Sequence, residues 1–145
     1  MIKRFNIYLS STDFKWYEFK DKWWKFHFST ILDNINRIVY SNGRKYILDV
    51  YDPLQIITDN PSIVEKDLSK IRESSCVVCY IGKRLTIGTL MELSYCCYKN
   101  LPIILIDSHK IHRNHPWIKY WIRYIVNDVY EAFELIKTNF LNRED

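Results

Sequence analysis

Apolar and polar positions form their most regular pattern between residues 67 and 107. The run CVVCYIG (Cys76–Gly82) is continuously apolar, as in a strand that is buried on both faces. In the segment from Thr89 to Asn100, and for one turn after it, apolar residues recur every three or four positions, as on one face of a helix. They are Leu90, Leu93, Cys97 and Leu101. A second apolar run, PIILID (Pro102–Asp107), follows. The pattern predicts a strand, a helix that begins at Thr89 and another strand, and therefore a parallel sheet.

Apolar runs and helical spacing elsewhere in the sequence predict further strands and helices before and after this strand–helix–strand unit. Strands are predicted at FNIYLSS (Phe5–Ser11), which is the first and central strand, KYILDVYDP (Lys45–Pro53) and YIVND (Tyr124–Asp128). Helices are predicted from Asp13 to about Tyr40, from Pro61 to about Ser74 behind an Asn60 N-cap, from near Pro116, and after an Asp128 cap. This order predicts one domain over residues 1–145, a three-layer α/β fold with a mostly parallel five-stranded sheet of flavodoxin-like or Rossmann-like kind.

A polar segment follows Gly82, where the first of the two apolar runs ends. Ligands of parallel α/β sheets bind outside the carboxyl ends of the strands, so this segment is a candidate binding site. Gly88 would let the backbone approach a ligand, and the hydroxyls of Thr86 and Thr89 at a helix N-terminus suit a phosphate or a sugar hydroxyl. Glu92 is predicted in the first turn of the helix. Its carboxylate can serve chemistry there, or it can complement the helix dipole, which contributes about 0.3–1 kcal/mol.

Three stretches together resemble the nucleoside 2-deoxyribosyltransferase superfamily, which includes the nucleoside 5′-monophosphate N-glycosidases. They are FNIYLSS with Tyr8, KDLSKI with Asp67, and TIGTLMELSYCC with Glu92 before an apolar strand. The resemblance runs from Tyr8 to about Asp107, and only the part after Asp67 is specific. It implies cleavage of an N-glycosidic bond, with Glu92 as nucleophile on the anomeric carbon, Asp67 near the departing base and Tyr8 holding Glu92 in place. It also implies a homodimer or higher oligomer in which a neighbouring subunit closes the site.

The chemistry of these residue types agrees with the implied roles. A glycosidic carbon develops oxocarbenium character as the base leaves, so one carboxylate stabilises or bonds that carbon while a second acid protonates the base. Transferases of the family have an Asp six positions before the nucleophile, whereas the nucleotide hydrolases have a Ser there that contacts the 5′-phosphate. This chain has Thr86 at that position. Lys83 and Arg84 on the same loop favour a phosphorylated substrate, unless they are solvated loop charges.

The chain departs from the family pattern at two places. The first loop, SSTDFKW (Ser10–Trp16), lacks the glycines that wrap around a phosphate in some members, although Ser10, Ser11 and Thr12 can donate hydroxyl hydrogen bonds. In the predicted helix, Ser94 replaces the usual Gly, and Cys96 and Cys97 replace Ala. These residues are all small, so we expect the helix to pack on the sheet. Tyr8 as a core residue and Asp67 as a solvated helix residue stay open as alternatives.

Composition and charge exclude several classes of protein. A net charge of +4 over 145 residues fits an anionic small substrate and is much weaker than the basic patch of a nucleic-acid-binding protein. Basic and aromatic residues do alternate in FKWYEFKDKWWKFHF, but a predicted helix carries them, which favours a subunit interface over base stacking. No apolar run reaches the length of a membrane span, and the N-terminus leads directly into a strand, so we expect a cytoplasmic protein without a membrane partner.

The four cysteines do not form a predicted metal or redox site. Cys76 and Cys79 are three apart in a strand and so face opposite sides, while Cys96 and Cys97 diverge on a helix. We therefore expect four buried, reduced thiols. Three histidines also recur at intervals of three, but in a loop, and we expect no metal at His109, His112 and His115.

The residues and the resemblance together give one functional hypothesis and three alternatives. The hypothesis is hydrolysis of a nucleoside 5′-monophosphate to base and sugar phosphate without cofactor or metal, by Glu92, Asp67 and Tyr8. The predicted substrate contacts are Thr86, Gly88, Ser10, Ser11 and Arg84. The alternatives are 2-deoxyribosyl transfer between bases, a non-catalytic nucleotide-binding or sensing module, and cleavage of an NAD-derived ligand by the same glutamate. The fold does not separate these functions.

Overall fold

The computed structural model describes residues 2–11, 38–41, 43–51, 60–83 and 86–141. Six strands of these residues form one sheet: β1 (Ile2–Ser11), β2 (Ile38–Ser41), β3 (Arg44–Tyr51), β4 (Cys76–Tyr80), β5 (Ile103–Ile106) and β6 (Tyr124–Val126). Their spatial order is β2-β3-β1-β4-β5-β6, and all neighbouring pairs except β2 and β3 are parallel. The five parallel strands confirm the predicted sheet. Their order, with the first strand between the second and the third, is flavodoxin-like.

Four helices lie in the described residues: α1 (Ser62–Arg72), α2 (Ile87–Tyr98), α3 (Pro116–Trp121) and α4 (Val129–Leu135), which continues into a π-helical turn at Ile136–Phe140. Side chains cap three of them, because the first backbone N–H groups of a helix have no partner within it. Asn60 Oδ1 accepts a bond from Ser62 N (3.0 Å), and Asp128 Oδ1 accepts one from Glu131 N (2.9 Å). The starts predicted near these two caps and near Pro116 are confirmed. None of these helices is long and apolar enough to cross a membrane.

Side chains of β1 alternate between the two faces of the sheet, as successive residues of a strand do. Phe5, Ile7 and Leu9 pack in a cluster with residues of α4. Tyr8 faces the other way and joins a cluster with residues of α1, α2 and α3. The central strands β4 and β5 are buried on both faces, which explains their continuous apolar sequences. Helices cover both faces of the sheet, so the chain has the predicted three layers.

The cysteines of β4 follow the same alternation. Cys76 lies in the cluster on the α4 face and Cys79 in the cluster on the opposite face, as the spacing predicted. All four cysteines are free thiols. Cys97 is half-buried rather than buried, because it lies at the edge of the contact between α2 and α3.

The predicted helix from Asp13 to about Tyr40 is wrong at its carboxyl end. Residues 38–41 form β2, which pairs antiparallel with β3 across a turn. The sequence Ile38-Val39-Tyr40 is β-branched and aromatic and therefore favours a strand. Gly43 has a φ of 74°, a conformation that glycine adopts readily in such turns. Residues 12–37, which hold the rest of the predicted helix, lie outside the described residues.

A buried carboxylate holds the segment between β5 and α3. Asp107 is completely buried, and its Oδ2 accepts hydrogen bonds from His112 N (3.3 Å), Arg113 N (3.0 Å) and Arg113 Nε (3.1 Å). Arg113 Nη2 also donates to Asp107 O (2.9 Å) and to Asn127 Oδ1 (2.8 Å). The loop is therefore closed onto the ends of β5 and β6. A second hydrogen bond joins His112 Nε2 to Gly82 O (2.8 Å), two residues after the end of β4.

Replacing Asp107 by Ala is expected to lower the free energy of unfolding by about 3 kcal/mol, because Arg113 and two backbone N–H groups lose their acceptor. Urea denaturation measures the change. Asp49→Ala is the matched control, since it removes an exposed ion pair with Arg4 (2.7 Å) and should lower the same free energy by less than about 1 kcal/mol. Equal losses in the two variants would contradict a structural role for Asp107.

Candidate active site

Three elements bring Tyr8, Asp67 and Glu92 to one side of the sheet. Tyr8 lies in β1, Asp67 in α1 and Glu92 in α2, and α1 and α2 both cover the face toward which Tyr8 points. Both carboxylates lie close enough to the Tyr8 hydroxyl for their charges to act on it. Parallel pairing explains the meeting, because α1 leads into β4, α2 leads out of it, and β4 lies next to β1. The three residues therefore form one candidate site.

The Tyr8 hydroxyl is fully buried, and its pKa lies far above the ordinary value. Burial is the largest cause, and the negative charges of Glu92 and then Asp67 add to it because they oppose formation of a phenolate. Tyr8 thus keeps its proton at any physiological pH. A protonated phenol is a hydrogen-bond donor, which is the form needed to orient a carboxylate.

Asp67 lies on the buried side of α1. It is four residues after Ile63 and four before the fully buried Ile71, and residues at this spacing share one face of a helix. Its Oδ1 is buried and has no hydrogen-bond partner in the described part of the chain. Burial raises the pKa of Asp67, and the charge of Lys66 lowers it by less. The carboxyl group is therefore suited to hold a proton above the pH at which ordinary aspartates lose it.

Glu92 is not in the first turn of its helix, which corrects the sequence prediction. The helix begins at Ile87, two residues before the predicted start, and Glu92 is its sixth residue. Gly88 suggested a loop because glycine is a poor helix former, but it is tolerated in the first turn. The dipole effect is confined to the first turn, so it no longer explains this glutamate. The carboxylate of Glu92 is half-buried. The pKa of the Cys96 thiol is raised to about 12, first by the burial of that thiol and next by the negative charge of Glu92.

The buried side of α2 also differs from the predicted one. Thr89, Leu93 and Cys96 are its buried residues, whereas Leu90 is exposed and Cys97 is half-buried. The buried face of α2 is thus turned about the helix axis from the face that the apolar spacing predicted. The observed buried stripe of residues includes a threonine. This rotation places Glu92 beside the buried stripe on the side toward α1.

The N-terminus of α2 is open on its outer side. Thr86 is the N-cap in an extended conformation, and its Oγ1 donates to Thr89 Oγ1 (3.0 Å) but accepts no bond from a backbone N–H of the helix. Gly88 is exposed, and a Cβ added to it would meet no atom of the described residues within 4 Å. Packing therefore does not require a glycine here, and its missing side chain leaves the first turn accessible. Lys83 is exposed three residues after the end of β4, while Arg84 lies outside the described residues.

Ser10 follows Tyr8 by two residues and so lies on the same face of β1. It is buried, and its Oγ has no hydrogen-bond partner in the described residues. Ser11 pairs with Tyr80 through the backbone, and its side chain lies outside the described part. Asp49, a further carboxylate of β3, is bound by Arg4 and does not join this group.

Tyr51 belongs to the surroundings of the candidate site and was missed by the sequence prediction. It lies directly opposite Tyr8 in the pairing of β1 with β3, and the two rings stack with centroids 5.7 Å apart and planes inclined by 28°. Lys70 Nζ lies 5.5 Å from the centre of the Tyr51 ring. The sequence signal was a tyrosine near the carboxyl end of each strand, but the register that makes them neighbours is not visible in the sequence.

Two of the three histidines that recur at intervals of three serve local structure. His112 bonds to Gly82 O, and His115 Nδ1 accepts from Trp117 N (3.3 Å) at the start of α3. Within the ranges that the structure describes, no group of three or more His, Cys, Asp or Glu residues is placed to hold a metal ion.

Comparison with known proteins finds similarity in structure. No protein-family model matches the chain, and no curated protein matches its sequence. A conserved protein from Enterococcus faecalis V583 is 15% identical with a TM-score of 0.64, over 94% of this chain and 99% of that chain. A 2-deoxyribosyltransferase from Bacillus psychrosaccharolyticus is 17% identical with a TM-score of 0.64, over 88% of this chain and 89% of that chain. The chain therefore shares the fold of a 2-deoxyribosyltransferase.

Replacing Asp67 by Asn is expected to stabilise the protein at pH 7 but not near pH 3. Because burial raises the pKa of the folded carboxyl group, wild type loses stability as pH rises from the unfolded pKa of about 3.9 to the folded value. The stability that wild type loses is not regained at higher pH. Asparagine has no ionisable group, so the variant does not suffer this loss. Urea denaturation at the two pH values measures the difference.

Glu65→Gln is the control for this measurement, because Glu65 lies on the same helix and its exposed carboxylate is bound by Arg72 at 2.8 Å. This variant should show no gain in stability at pH 7. A gain for Asp67→Asn that is equal at both pH values would show that burial of the charge is not its cause.

Proposed function

We propose that this protein is an N-glycosidase that cleaves the bond between base and sugar in a nucleoside 5′-monophosphate. The observation that carries the proposal is the buried Tyr8 hydroxyl within reach of two carboxylates, Glu92 and Asp67, which lie in unlike surroundings. Two carboxylates in unlike surroundings can divide the roles of nucleophile and acid. The shared fold with a 2-deoxyribosyltransferase supports a reaction at the same kind of bond.

In the first step, a Glu92 carboxylate oxygen attacks the anomeric carbon as the carbon–nitrogen bond breaks. The bonding electrons leave with the base, and Asp67 donates a proton to it. In the second step, water attacks the same carbon and displaces Glu92, while Asp67 takes up the proton of that water. The products are the free base and the sugar phosphate, and the reaction needs no cofactor or metal.

The surroundings of each group suit its step. Asp67 has a raised pKa, so it can be protonated before the base leaves and can accept a proton afterward. Tyr8 stays protonated and can direct its O–H toward Glu92, which leaves a carboxylate oxygen oriented for attack. The carboxylate of Glu92 is not neutralised by a first-turn dipole, because it lies in the second turn of α2.

The N-terminus of α2 is the proposed phosphate contact. Thr86 supplies a hydroxyl, Gly88 leaves the first turn accessible, and no acidic residue lies in that turn to repel an anion. Lys83 adds an exposed positive charge nearby, and Ser10 contributes a hydroxyl without a partner in the described residues. Ser11 and Arg84 belong to the same proposal.

The second candidate is 2-deoxyribosyl transfer between bases, with which the structural similarity to a 2-deoxyribosyltransferase also agrees. It differs only in the second step, where an acceptor base replaces water and the site must exclude water until that base arrives. A nucleotide-binding module without turnover and cleavage of an NAD-derived ligand are the remaining alternatives, since each uses the same fold and an anion site.

Release of free base is the direct test of the proposal. Ribo- and deoxyribonucleoside 5′-monophosphates and their unphosphorylated counterparts are incubated with wild type, and the base is measured by chromatography, with and without an acceptor base. Hydrolysis of at least one monophosphate without acceptor is expected, with slower cleavage of its unphosphorylated counterpart. Glu92→Ala should lower the rate roughly 1,000-fold or more, because the nucleophile is lost.

Gly88→Ala tests the phosphate contact, since the added Cβ would meet no atom of the described part of the chain but would obstruct the first turn of α2. It should weaken cleavage of the monophosphate more than that of the nucleoside. Full activity of Glu92→Ala would refute each catalytic version. Base exchange on unphosphorylated nucleosides would establish the transferase, and tight binding of a nucleotide without product would establish the binding module.

Self-association is a further part of the proposed function. Of the eleven large apolar side chains exposed in the described residues, eight lie on α2, on the segment after β5 or on α3; the other three are Ile2, Val64 and Tyr130. Leu90 and Tyr98 of α2 border the same groove of about 590 Å³ as Trp117 and Trp121 of α3. An exposed apolar surface of this kind is typical of protein interfaces. The aromatic helix assigned to an interface from the sequence lies outside the described residues.

We expect wild type to sediment as a dimer or higher oligomer, and the double variant Trp117→Lys, Tyr120→Lys to sediment as a monomer. These two side chains are 68% and 83% exposed, so lysine fits without disturbing the core. Tyr130→Lys is the matched control, because Tyr130 is 60% exposed but belongs to α4 on the other face of the sheet. A monomeric wild type, or dissociation caused equally by the control, would refute this interface.

A further inference from the structure

The Tyr8 ring has two cross-strand neighbours on its own face of the sheet. They are Tyr51 of β3 and Val77 of β4, each directly opposite Tyr8 in its strand pairing. Val77 offers a small branched side chain, whereas Tyr51 offers a flat ring that lies nearly parallel to that of Tyr8. Cross-strand pairs are in contact and restrict each other. Tyr51 is therefore the aromatic neighbour against which the Tyr8 ring rests.

The Tyr51 ring is itself held by α1. Lys70 Nζ lies 5.5 Å from the ring centre, in the position of a cation over an aromatic face, and Glu73 binds the same Nζ at 3.6 Å. Lys70 follows Asp67 by three residues, so the two side chains are neighbours on one surface of α1. The stack of Lys70, Tyr51 and Tyr8 thus connects the helix of the candidate acid to the tyrosine that acts on the candidate nucleophile.

We propose that Tyr51 is a positioning residue of the active site, whose ring holds the Tyr8 hydroxyl at the angle and distance at which it orients Glu92. This inference rests on the proposed function. Groups that act in catalysis must be held within about 0.5 Å of their productive position. A phenol hydroxyl lies at the far end of its side chain, so a small tilt of the ring displaces it by more than that. The flat contact with Tyr51 opposes this tilt.

The proposal assigns the effect to the ring of Tyr51 rather than to its hydroxyl. Tyr51→Phe keeps the stacked face and should retain most of the activity. Tyr51→Leu keeps an apolar side chain of moderate size at this half-buried position but removes the flat face. We expect it to lower kcat about tenfold while KM changes less than about threefold, because substrate contacts are left in place.

A double-mutant cycle separates positioning from general packing. In a Tyr8→Phe background there is no hydroxyl to hold, so Tyr51→Leu should change kcat less than about twofold further. An equal loss in both backgrounds would show that Tyr51 acts through the fold or another group, and would overturn the proposal. So would an unchanged kcat in Tyr51→Leu with Tyr8 present. If Tyr51→Leu does not fold, Tyr51→Met tests the same loss of the ring.

A measurement without turnover keeps this result separate from that of the proposed function. Protein labelled with 3-fluorotyrosine gives a ¹⁹F resonance for Tyr8, which is assigned by its absence in Tyr8→Phe. The resonance should shift on Glu92→Gln in wild type and in Tyr51→Phe, and this response should disappear in Tyr51→Leu. A wild type that cleaves no nucleotide refutes the proposed function alone. A response that persists in Tyr51→Leu refutes the positioning role.

Discussion

The parallel pairing of β1 with β3 on one side and β4 on the other is the constraint on which the candidate site depends. It places the carboxyl end of β1 where the connections of the sheet turn in opposite directions, and such points leave a crevice for a ligand. It also sets Tyr8 beside Tyr51 and beneath α1 and α2, the helices that precede and follow β4 along the chain. A shift of one residue would turn Tyr8 to the α4 face and break up the site, because side chains alternate along a strand.

Asp107 and Asp67 each have a buried carboxylate oxygen, and they differ in how the charge of the group is compensated. Asp107 lies completely inside, and three N–H groups bond to one of its oxygens, so its burial stabilises a loop. The other oxygen of Asp107 and the Oδ1 of Asp67 are both buried without a partner in the described residues, but no such set of N–H donors compensates Asp67, and burial raises its pKa. Such a group lowers stability, and natural proteins retain this kind of group mainly where function requires it. The contrast distinguishes Asp107, whose bonds hold a loop, from Asp67, for which we propose a chemical role.

Helix α2 serves two surfaces at once. The side toward α1 carries Glu92 and reaches the candidate site, and the opposite side borders the apolar groove against α3. The outermost residues Ile87, Met91 and Tyr98 are exposed and apolar. A partner that covers this face would immobilise the helix that carries Glu92, the proposed nucleophile. Assembly and catalysis would then share one rigid element, which is the kind of support that a precise site needs.

The sequence by itself determined the fold class, five parallel strands and three helix starts near caps, because apolar periodicity and capping depend on residues a few positions apart. It also singled out Tyr8, Asp67 and Glu92, through a resemblance to a family and the chemistry of their side chains. Only the tertiary structure decided that residues 38–41 are a strand, that α2 begins at Ile87 and buries Thr89, and that Tyr51 stacks on Tyr8. These features depend on register and on contacts between distant segments, which local propensity does not encode.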